Sequence, residues 1–176
     1  EINKLLPRNF AVKSLTDLNY YSEIEESGKT LEENALIKAK TIFNTFKKNC
    51  FSDDSGLEVF ALGGKPGVYS ARYAGKQKNT EANTKKILQE LEDIDNRQAQ
   101  FRSVIALIFN ETEYLFEGII KGEISHSPRG RNGFGYDPIF IPEKHHVTFA
   151  QLTLFEKNKI SHRSKAFEKL IEFLKS

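Results

Sequence analysis

Two adjacent carboxylates, Asp53 and Asp54, are the side chains of this sequence that point most directly to chemistry. They follow residues 49–52, which are predicted to form a strand, and precede Gly56 in a predicted turn. Neighbouring acids repel each other, so a sequence keeps them together mainly where a cation or a proton-transfer task compensates. Strand ends that open into glycine turns are also where α/β proteins place ligand chemistry. The pair therefore favours a cation-binding or acid–base site, with a solvated acidic turn as the alternative.

A second acidic stretch, residues 23–28, precedes a predicted helix and contributes Glu23, Glu25 and Glu26. Mg²⁺ prefers carboxylates drawn from separate segments and completed by water and phosphate oxygens. The two acidic stretches are therefore candidates for a shared magnesium site. Taken alone, the second stretch is more typical of a solvated loop or of acids that compensate a helix dipole.

Residues 128–138 form a glycine-rich, polar segment that suits close contact with a ligand. Its glycines let the backbone approach a bound group, and Phe134 and Tyr136 offer faces on which a base could stack. Arg129 and Arg131 add positive charge. A long hairpin loop with its aromatic rings turned inward fits the same residues.

Residues 156–163 combine positive charge with a predicted helix start at Ser161. Helix N-termini favour anions and hydrogen-bond acceptors. Lys157 and Arg163 add cations there, and His162 adds a donor or an acceptor. A capped helix with a solvated first turn is the alternative for this segment.

The elements that must position these clusters alternate between helix and strand, which predicts an α/β fold with a mixed central sheet. Thr30 and Glu33 form a capping-box pattern, and apolar residues recur behind them at helical spacing. A hairpin is predicted where Asn110 separates two apolar strands. The predicted strands are residues 10–15, 49–52, 101–109 and 113–124, and the predicted helices are residues 31–46, 80–92 and a C-terminal helix after Ser161.

Length and composition are those of one globular domain over residues 1–176. With 39% hydrophobic and 28% charged residues, the chain can bury a substantial core. The net charge of +2 comes without a basic stripe, so no nucleic-acid partner is expected. No apolar run is long enough for a membrane span. The single cysteine, Cys50, cannot form an internal disulfide, which favours a reducing compartment, by default the cytoplasm.

Taken together and in order, the polar clusters resemble the motifs of the non-canonical purine nucleoside triphosphate pyrophosphatases, the inosine/xanthosine triphosphatase family. The resemblance runs from about residue 20 to the C-terminus. It rests on Glu25-Glu26-Ser27-Gly28 followed by Glu32-Glu33-Asn34-Ala35 and Lys38-Ala39, on Ser52-Asp53-Asp54-Ser55-Gly56-Leu57, on Leu62-Gly63-Gly64-Lys65-Pro66-Gly67 with Val68-Tyr69-Ser70-Ala71-Arg72-Tyr73-Ala74-Gly75, on Gly133-Phe134-Gly135-Tyr136-Asp137-Pro138-Ile139-Phe140, and on Glu156-Lys157-Asn158-Lys159-Ile160-Ser161-His162-Arg163.

The resemblance implies a two-lobed α/β domain with its site in the cleft between the lobes. It also implies Mg²⁺-dependent hydrolysis of inosine, deoxyinosine and xanthosine triphosphates (ITP, dITP and XTP) to the monophosphate and pyrophosphate, by a cytoplasmic homodimer. Family members begin with a strand and a Thr-x-Asn-x-x-Lys loop that helps to hold the triphosphate, and this loop would precede Glu1. Residues 1–6 read as the tail of a helix already under way, so we expect a segment before them.

By motif, the resemblance assigns Asp54 as the proton acceptor and, together with Glu25, as a metal ligand. It assigns substrate contacts to Ser55, Phe134, Gly135, Tyr136, Asp137, Lys157, His162 and Arg163. Donors from residues 162–163 would select the 6-oxo group that hypoxanthine and xanthine carry and adenine lacks. Lys157 is expected to pair with a phosphate as a point charge, and Asp53 is expected to support its neighbour.

Two other functions fit the same segments. One is a metal-dependent hydrolase of modified pyrimidine or guanine triphosphates, and the other is a nucleotide-binding module without catalysis. Pyrophosphate release from ITP, compared with release from ATP, separates these functions.

Overall fold

The computed structural model describes residues 6–7, 10–75 and 77–176. The helices are α1 (Leu31–Phe46), α2 (Thr80–Glu90), α3 (Leu154–Ile160) and α4 (His162–Lys175). The strands are β1 (Cys50–Val59), β2 (Lys65–Pro66), β3 (Gln98–Phe109), β4 (Thr112–Ile124) and β5 (Phe140–Pro142). Short 3-10 turns lie at Thr16–Leu18, Phe60–Leu62, Gly67–Arg72 and Phe149–Gln151. Within the described ranges, no helix has the length and apolar character that crossing a membrane requires.

The five strands form one sheet in the order β2-β1-β3-β4-β5. The central strand β3 pairs along its whole length with β1 and β4. The β3–β4 hairpin turns at Asn110 and Glu111, which both adopt the positive φ angles that a tight hairpin turn requires. The α/β class is confirmed, while the strand pairings in the described part of the chain are all antiparallel, where a mixed sheet was expected.

Side chains alternate along β3, so this strand presents apolar residues on both faces of the sheet. Helices cover both of these faces. Val104, Ala106 and Ile108 pack against α1, and the intervening Ile105 and Leu107 pack against α4. Each such buried side chain contributes about 1.5–3 kcal/mol of hydrophobic stabilisation. A further buried cluster joins α2 to the same sheet and contains Leu57, Ile87, Leu91, Phe101, Phe140 and Phe149. The sheet whose strand β1 carries the acidic pair is therefore held between two layers of helix.

Helix α1 begins at the predicted cap Thr30, but the reciprocal bond of a capping box goes to Lys29, one residue before the cap, and not to Thr30 itself. The Thr30 hydroxyl accepts a hydrogen bond from Glu33 N at 3.1 Å, and the Glu33 carboxylate accepts one from Lys29 N at 2.6 Å. The helix ends at Phe46, after which Lys47 takes a left-handed conformation with φ 52°. The predicted helix is confirmed, and it includes every apolar position that recurs at helical spacing, from its first residue to Phe46.

Three other local predictions differ from the structure. Residues 10–15 form no strand; they lead into a turn that Asp17 stabilises by accepting a hydrogen bond from Ser14 N at 2.8 Å. Helix α2 ends at Glu90 instead of residue 92, and α3 lies in a segment for which no helix is predicted. The helix tail expected at residues 1–6 lies, except for Leu6, outside the described residues.

Candidate active site

The acidic pair lies inside β1 and not in a turn that follows it. β1 continues to Val59 and pairs with β3 through both acids, so the prediction of a turn at Gly56 is wrong. Glycine is needed at position 56 for another reason, because a Cβ atom there would lie 2.4 Å from the carbonyl oxygen of Gly67. Side chains alternate along a strand, so Asp53 and Asp54 point to opposite faces of the sheet. Each of them meets its own cation there.

Asp54 faces α1, where it shares a lysine with a second carboxylate. The ammonium of Lys38 donates to Asp54 Oδ1 at 2.9 Å and to Glu26 Oε1 at 2.8 Å. Arg72 lies beside the same glutamate, with its Nη2 atom 3.9 Å from Glu26 Oε2. Glu25, the predicted metal ligand, is exposed, and the structure brings its neighbour Glu26 to Asp54.

The proton affinities in this cluster follow from its partial burial. Burial raises the pKa of Asp54 above its usual value, against the lowering effect of the hydrogen bond from Lys38. Burial also opposes the charge on Lys38, but the hydrogen bonds to Glu26 and Asp54 outweigh it and raise the pKa of the ammonium. Lys38 is therefore a cation at neutral pH, and Asp54 is a more basic carboxylate than an exposed aspartate.

The carboxylates of Glu26 and Asp54 fit a magnesium ion in part. Both are hard oxygen donors of the kind that Mg²⁺ prefers, and both already converge on one positive charge. In the ranges that the structure describes, no group of three His, Cys, Asp or Glu side chains could hold a metal ion. The two acids therefore suit an ion whose remaining ligands are water and phosphate oxygens.

Asp53 faces α4 and holds Arg163 there. Its Oδ2 atom accepts a hydrogen bond from Arg163 Nε at 3.0 Å and lies 2.9 Å from Nη2 of the same guanidinium in an ion pair. Ser161 caps α4, since its hydroxyl accepts a hydrogen bond from Ser164 N at 3.2 Å. The cap and the ion pair together fix the direction in which the first turn of α4 meets the sheet.

A cavity of about 270 Å³ opens on the α4 face of the sheet. This volume is at the small end for ligand pockets, which suits a nucleoside better than a whole triphosphate. A larger cavity, about 770 Å³, lies beside α2 and has none of the predicted site residues in its wall. Most of the predicted substrate contacts line the smaller cavity, namely Ser55, Phe134, Gly135, Tyr136, Asp137, His162 and Arg163.

His162 contributes a neutral, buried imidazole to this cavity. Its ring stacks on Phe101 with the ring centroids 4.8 Å apart. Burial, reinforced by the nearby charges of Arg163, Lys157 and Lys165, lowers the pKa of His162 to about 3. Among the described residues, its Nδ1 atom is buried without a hydrogen-bond partner. Buried polar atoms are normally paired, so this nitrogen is suited to receive a polar group of a ligand.

Lys157 lies with the cavity residues. Its buried ammonium donates to Asp137 Oδ2 and sits 4.5 Å from the centroid of the exposed Phe134 ring. The same Oδ2 atom accepts a hydrogen bond from Phe134 N at 2.8 Å. A Cβ atom at Gly133 would lie 2.0 Å from that oxygen, so this tight loop requires glycine. The cavity therefore ends in an ion pair of balanced charge beside an exposed aromatic ring.

Several residues that hold the site together received no role from the sequence. Lys38 is one: it lies in one of the family motifs but was given no role there, and the helical spacing of α1 also places it on the face toward β1. Ser103 is another, because it accepts a hydrogen bond from Ser55 Oγ at 2.8 Å. Asn83 is a third; it accepts a hydrogen bond from Ala74 N at 2.6 Å and so fixes the loop before α2.

Comparison with known proteins identifies the family. The Ham1 family model matches residues 1–173. The chain is 51% identical over 174 residues to the dITP/XTP pyrophosphatase of Christiangramia forsetii, which covers 99% of this chain and 92% of that protein. It is 49% identical over 175 residues to the dITP/XTP pyrophosphatase of Bacillus subtilis, with 98% and 88% covered. A solved HAM1 protein from Coxiella burnetii is similar with a TM-score of 0.91 and 42% identity, over 99% of this chain and 91% of that one. The resemblance seen in the motifs is confirmed, and the chain belongs to the Ham1 family.

Proposed function

We propose that this protein hydrolyses the triphosphates of deaminated purines, ITP, dITP and XTP, to the monophosphate and pyrophosphate, and so cleanses nucleotide pools. The observation that carries the proposal is the adjacency of two half-sites on β1. Ser55 lines a nucleoside-sized cavity, and its neighbour Asp54 belongs to the cluster of carboxylates around Lys38. The relatives from Christiangramia forsetii and Bacillus subtilis, which are dITP/XTP pyrophosphatases, support this choice of substrate.

The half-site at Asp54 supplies the hydrolytic chemistry. Asp54 accepts the proton of the water that attacks the α-phosphorus, and its raised pKa makes it a better base than an exposed aspartate. The bond between the α- and β-phosphates breaks, and pyrophosphate leaves. Lys38 and Arg72 offer positive charge to the phosphate oxygens. The cofactor that we propose is Mg²⁺, held by Asp54 with Glu25 or, as the contacts favour, Glu26; when bound, it neutralises charge on the phosphates.

The cavity supplies base selection. Hypoxanthine and xanthine carry an oxygen at position six, where adenine carries an amino group. The neutral imidazole of His162 and the guanidinium of Arg163 are donors for that oxygen. A mismatched buried donor costs about 1–3 kcal/mol, which is enough for about tenfold discrimination or more. Phe134 offers a stacking face, and the Lys157–Asp137 pair adds a donor and an acceptor. We therefore assign Lys157 to the base instead of a phosphate.

A substrate panel tests the proposal. The protein is incubated with Mg²⁺ and with ITP, XTP, GTP or ATP, and both pyrophosphate and monophosphate are measured. We expect pyrophosphate as the product, with kcat/KM for ITP at least about tenfold above the value for ATP. Release of orthophosphate, or tight binding without turnover, would support one of the alternative functions instead.

Substitution of the proposed base is the sharpest single change. In Asp54→Asn the amide cannot take a proton from water, so we expect kcat for ITP to fall by about 10²–10⁴-fold while the protein stays folded. Asp93→Asn serves as the control because Asp93 is exposed and lies at the end of α2, outside the cavity wall. Circular dichroism and steady-state kinetics on both variants check the prediction. Wild-type rates in Asp54→Asn would remove the assigned role.

Assembly and location complete the proposal. We propose a homodimer, for which light scattering should give twice the chain mass of 20.1 kDa. A cytoplasmic location is consistent with the unpaired thiol of Cys50, and cell fractionation tests it. We further propose that the chain forms a single two-lobed domain over residues 1–176, with the nucleotide between the lobes.

A further inference from the structure

The first turn of α4 lies directly on β4, at a glycine. An ideal Cβ atom at Gly118 would lie 2.0 Å from the carbonyl oxygen of His162 and 2.5 Å from the backbone nitrogen of Ala166. These two atoms are four residues apart in an α-helix, so they are the partners of a backbone hydrogen bond in the first turn of α4, directly after the bond from Lys165 N to the Ser161 carbonyl oxygen. No side chain fits at position 118 without moving this turn, because both close contacts are with backbone atoms.

The turn that rests on Gly118 carries the two residues at the start of α4 that line the cavity. The His162 ring reaches from this turn over β3, where it stacks on Phe101, and Arg163 reaches as far as Asp53 on β1. A separate tether fixes the same turn to β4, since Lys165 Nζ donates to Ile119 O at 2.8 Å. The depth at which α4 sits on β4 therefore sets how far both side chains enter the cavity.

We propose that Gly118 is a positioning residue for recognition of the purine base. It allows backbone contact between β4 and the first turn of α4, and this contact holds the His162 imidazole and the Arg163 guanidinium at hydrogen-bonding depth in the cavity. The inference rests on the proposed function, because it takes the cavity to be the base site. The groups around Asp54 lie on the other face of the sheet, so the hydrolytic step does not depend on this contact.

Gly118→Ala tests the proposal against a matched glycine on the same strand. A Cβ atom at Gly122 would also meet a backbone oxygen, that of Ile141 at 2.2 Å, but this oxygen belongs to β5 and not to α4. Both alanine variants are therefore expected to lose stability for the same reason. Two readouts are taken on each variant: kcat and KM for ITP and for ATP with Mg²⁺, and calorimetric binding of inosine monophosphate, which requires no turnover.

In Gly118→Ala we expect KM for ITP to rise about tenfold with kcat little changed, because base contacts act equally in the ground and transition states. The ITP-over-ATP ratio of kcat/KM and the affinity for inosine monophosphate should fall by similar factors. Gly122→Ala should keep the wild-type values of both. Equal behaviour of the two variants, or a loss confined to kcat, would overturn the proposal.

If Gly118→Ala does not fold, Lys165→Met releases the same turn by removing its tether to Ile119. We expect this variant to show a smaller fall in the ITP-over-ATP ratio and in monophosphate affinity, and wild-type values for both would refute the proposal. Failure of the proposed function is a distinct result. In that case the wild-type protein itself would release no pyrophosphate from ITP, whatever the variants bind.

Discussion

Lys38 forms ion pairs with both Glu26 and Asp54, and the charge of the proposed hydrolytic half-site depends on it. Its removal in Lys38→Met leaves Glu26 and Asp54 without their shared counter-charge, and the pKa of Asp54 should rise further. We expect the acidic limb of the kcat/KM profile for ITP to move to higher pH. At pH 7 we expect kcat/KM to be about a hundredfold lower than in the wild type. A pH series of initial rates measures both effects.

Lys40→Met is the matched control for this experiment. Lys40 lies two residues further along α1 and forms an exposed ion pair with Glu113 at 3.0 Å. Exposed pairs contribute little, so its loss should leave the pH profile unchanged. An acidic limb that stays in place in Lys38→Met would contradict the role given to the lysine.

His162 makes stability depend on pH in a defined direction. Its pKa is about 3 in the folded chain and 6.5 in an unperturbed histidine, so below pH 6.5 the unfolded chain binds a proton that the folded chain does not. The free energy of unfolding should therefore fall by about 1.4 kcal/mol per pH unit as the pH drops from 6.5 toward 3. His162→Gln removes the titrating group, so its dependence on pH should be shallower.

Urea denaturation of both proteins at about pH 5.5, 6 and 7 measures how steeply the free energy of unfolding changes with pH in each. Most carboxylates stay ionised over this range, so they contribute little to the difference. Parallel curves for the wild type and His162→Gln would mean that the imidazole takes up its proton over the same pH range in the folded and unfolded chains, which would contradict the lowered pKa of His162.

The resemblance to the family motifs, and not residue types alone, located many of these groups. It assigned Asp54, which the structure brings to Lys38, and seven predicted contacts that line one cavity. It assigned Glu25 to the metal, whereas the structure brings Glu26 to Asp54; a loop has no periodicity from which the direction of a side chain can be inferred. The sequence also gave Asp53 only a general supporting role, since its partner Arg163 is distant in the sequence.

At the scale of elements, the N-terminal cap of α1 contributes to the free energy of unfolding by an amount that can be measured. Thr30→Ala removes the acceptor of the Glu33 N–H and should lower the free energy of unfolding by about 1 kcal/mol. Thr45→Ala, near the other end of the helix, removes a hydroxyl that donates to Thr41 O within the helix. This control should change stability by less than about 0.5 kcal/mol. Thermal unfolding of both variants measures the difference, and equal losses would contradict the capping role.

Elements with a strong local signal were predicted well, and those that depend on tertiary contacts were not. The cap at Thr30 and the helical spacing predict α1, and the break at Asn110 predicts the β3–β4 hairpin. β1 continues past Gly56 because pairing with β3 outweighs the local turn preference of glycine. The α3 helix is only seven residues long and had one overlooked signal, the capping box of Thr153 and Glu156.

At the scale of the whole molecule, Arg102 joins one helix to three strands. Its guanidinium on β3 meets Glu32 of α1, Glu58 of β1 and Glu117 of β4. Arg102→Met should lower the free energy of unfolding at pH 7 by about 2 kcal/mol. The three carboxylates then lose their shared counter-charge and repel one another. Acid weakens this repulsion, so the stability of the variant relative to the wild type should recover as the pH falls.

Urea denaturation of Arg102→Met at pH 7 and pH 5, with Lys40→Met as the control for an exposed ion pair, measures this recovery. The difference in stability between wild type and Arg102→Met should shrink at the lower pH. A difference that stays constant with pH would show that the arginine acts mainly through packing of its aliphatic stem.

Because Asp53 and Asp54 point in opposite directions, the sheet separates the groups proposed for phosphate hydrolysis from those proposed for base recognition. Asp54 contacts Lys38 of α1 on one side, and Asp53 holds Arg163 of α4 on the other. Under the proposed function, the residues that contact the base are therefore separate from those that cleave the phosphate, and we expect base preference to be able to change without loss of cleavage. We expect a mutant library confined to α4 and residues 133–137 to yield variants with a changed base preference. The groups around Asp54, on the other face of the sheet, would stay unchanged in such a library.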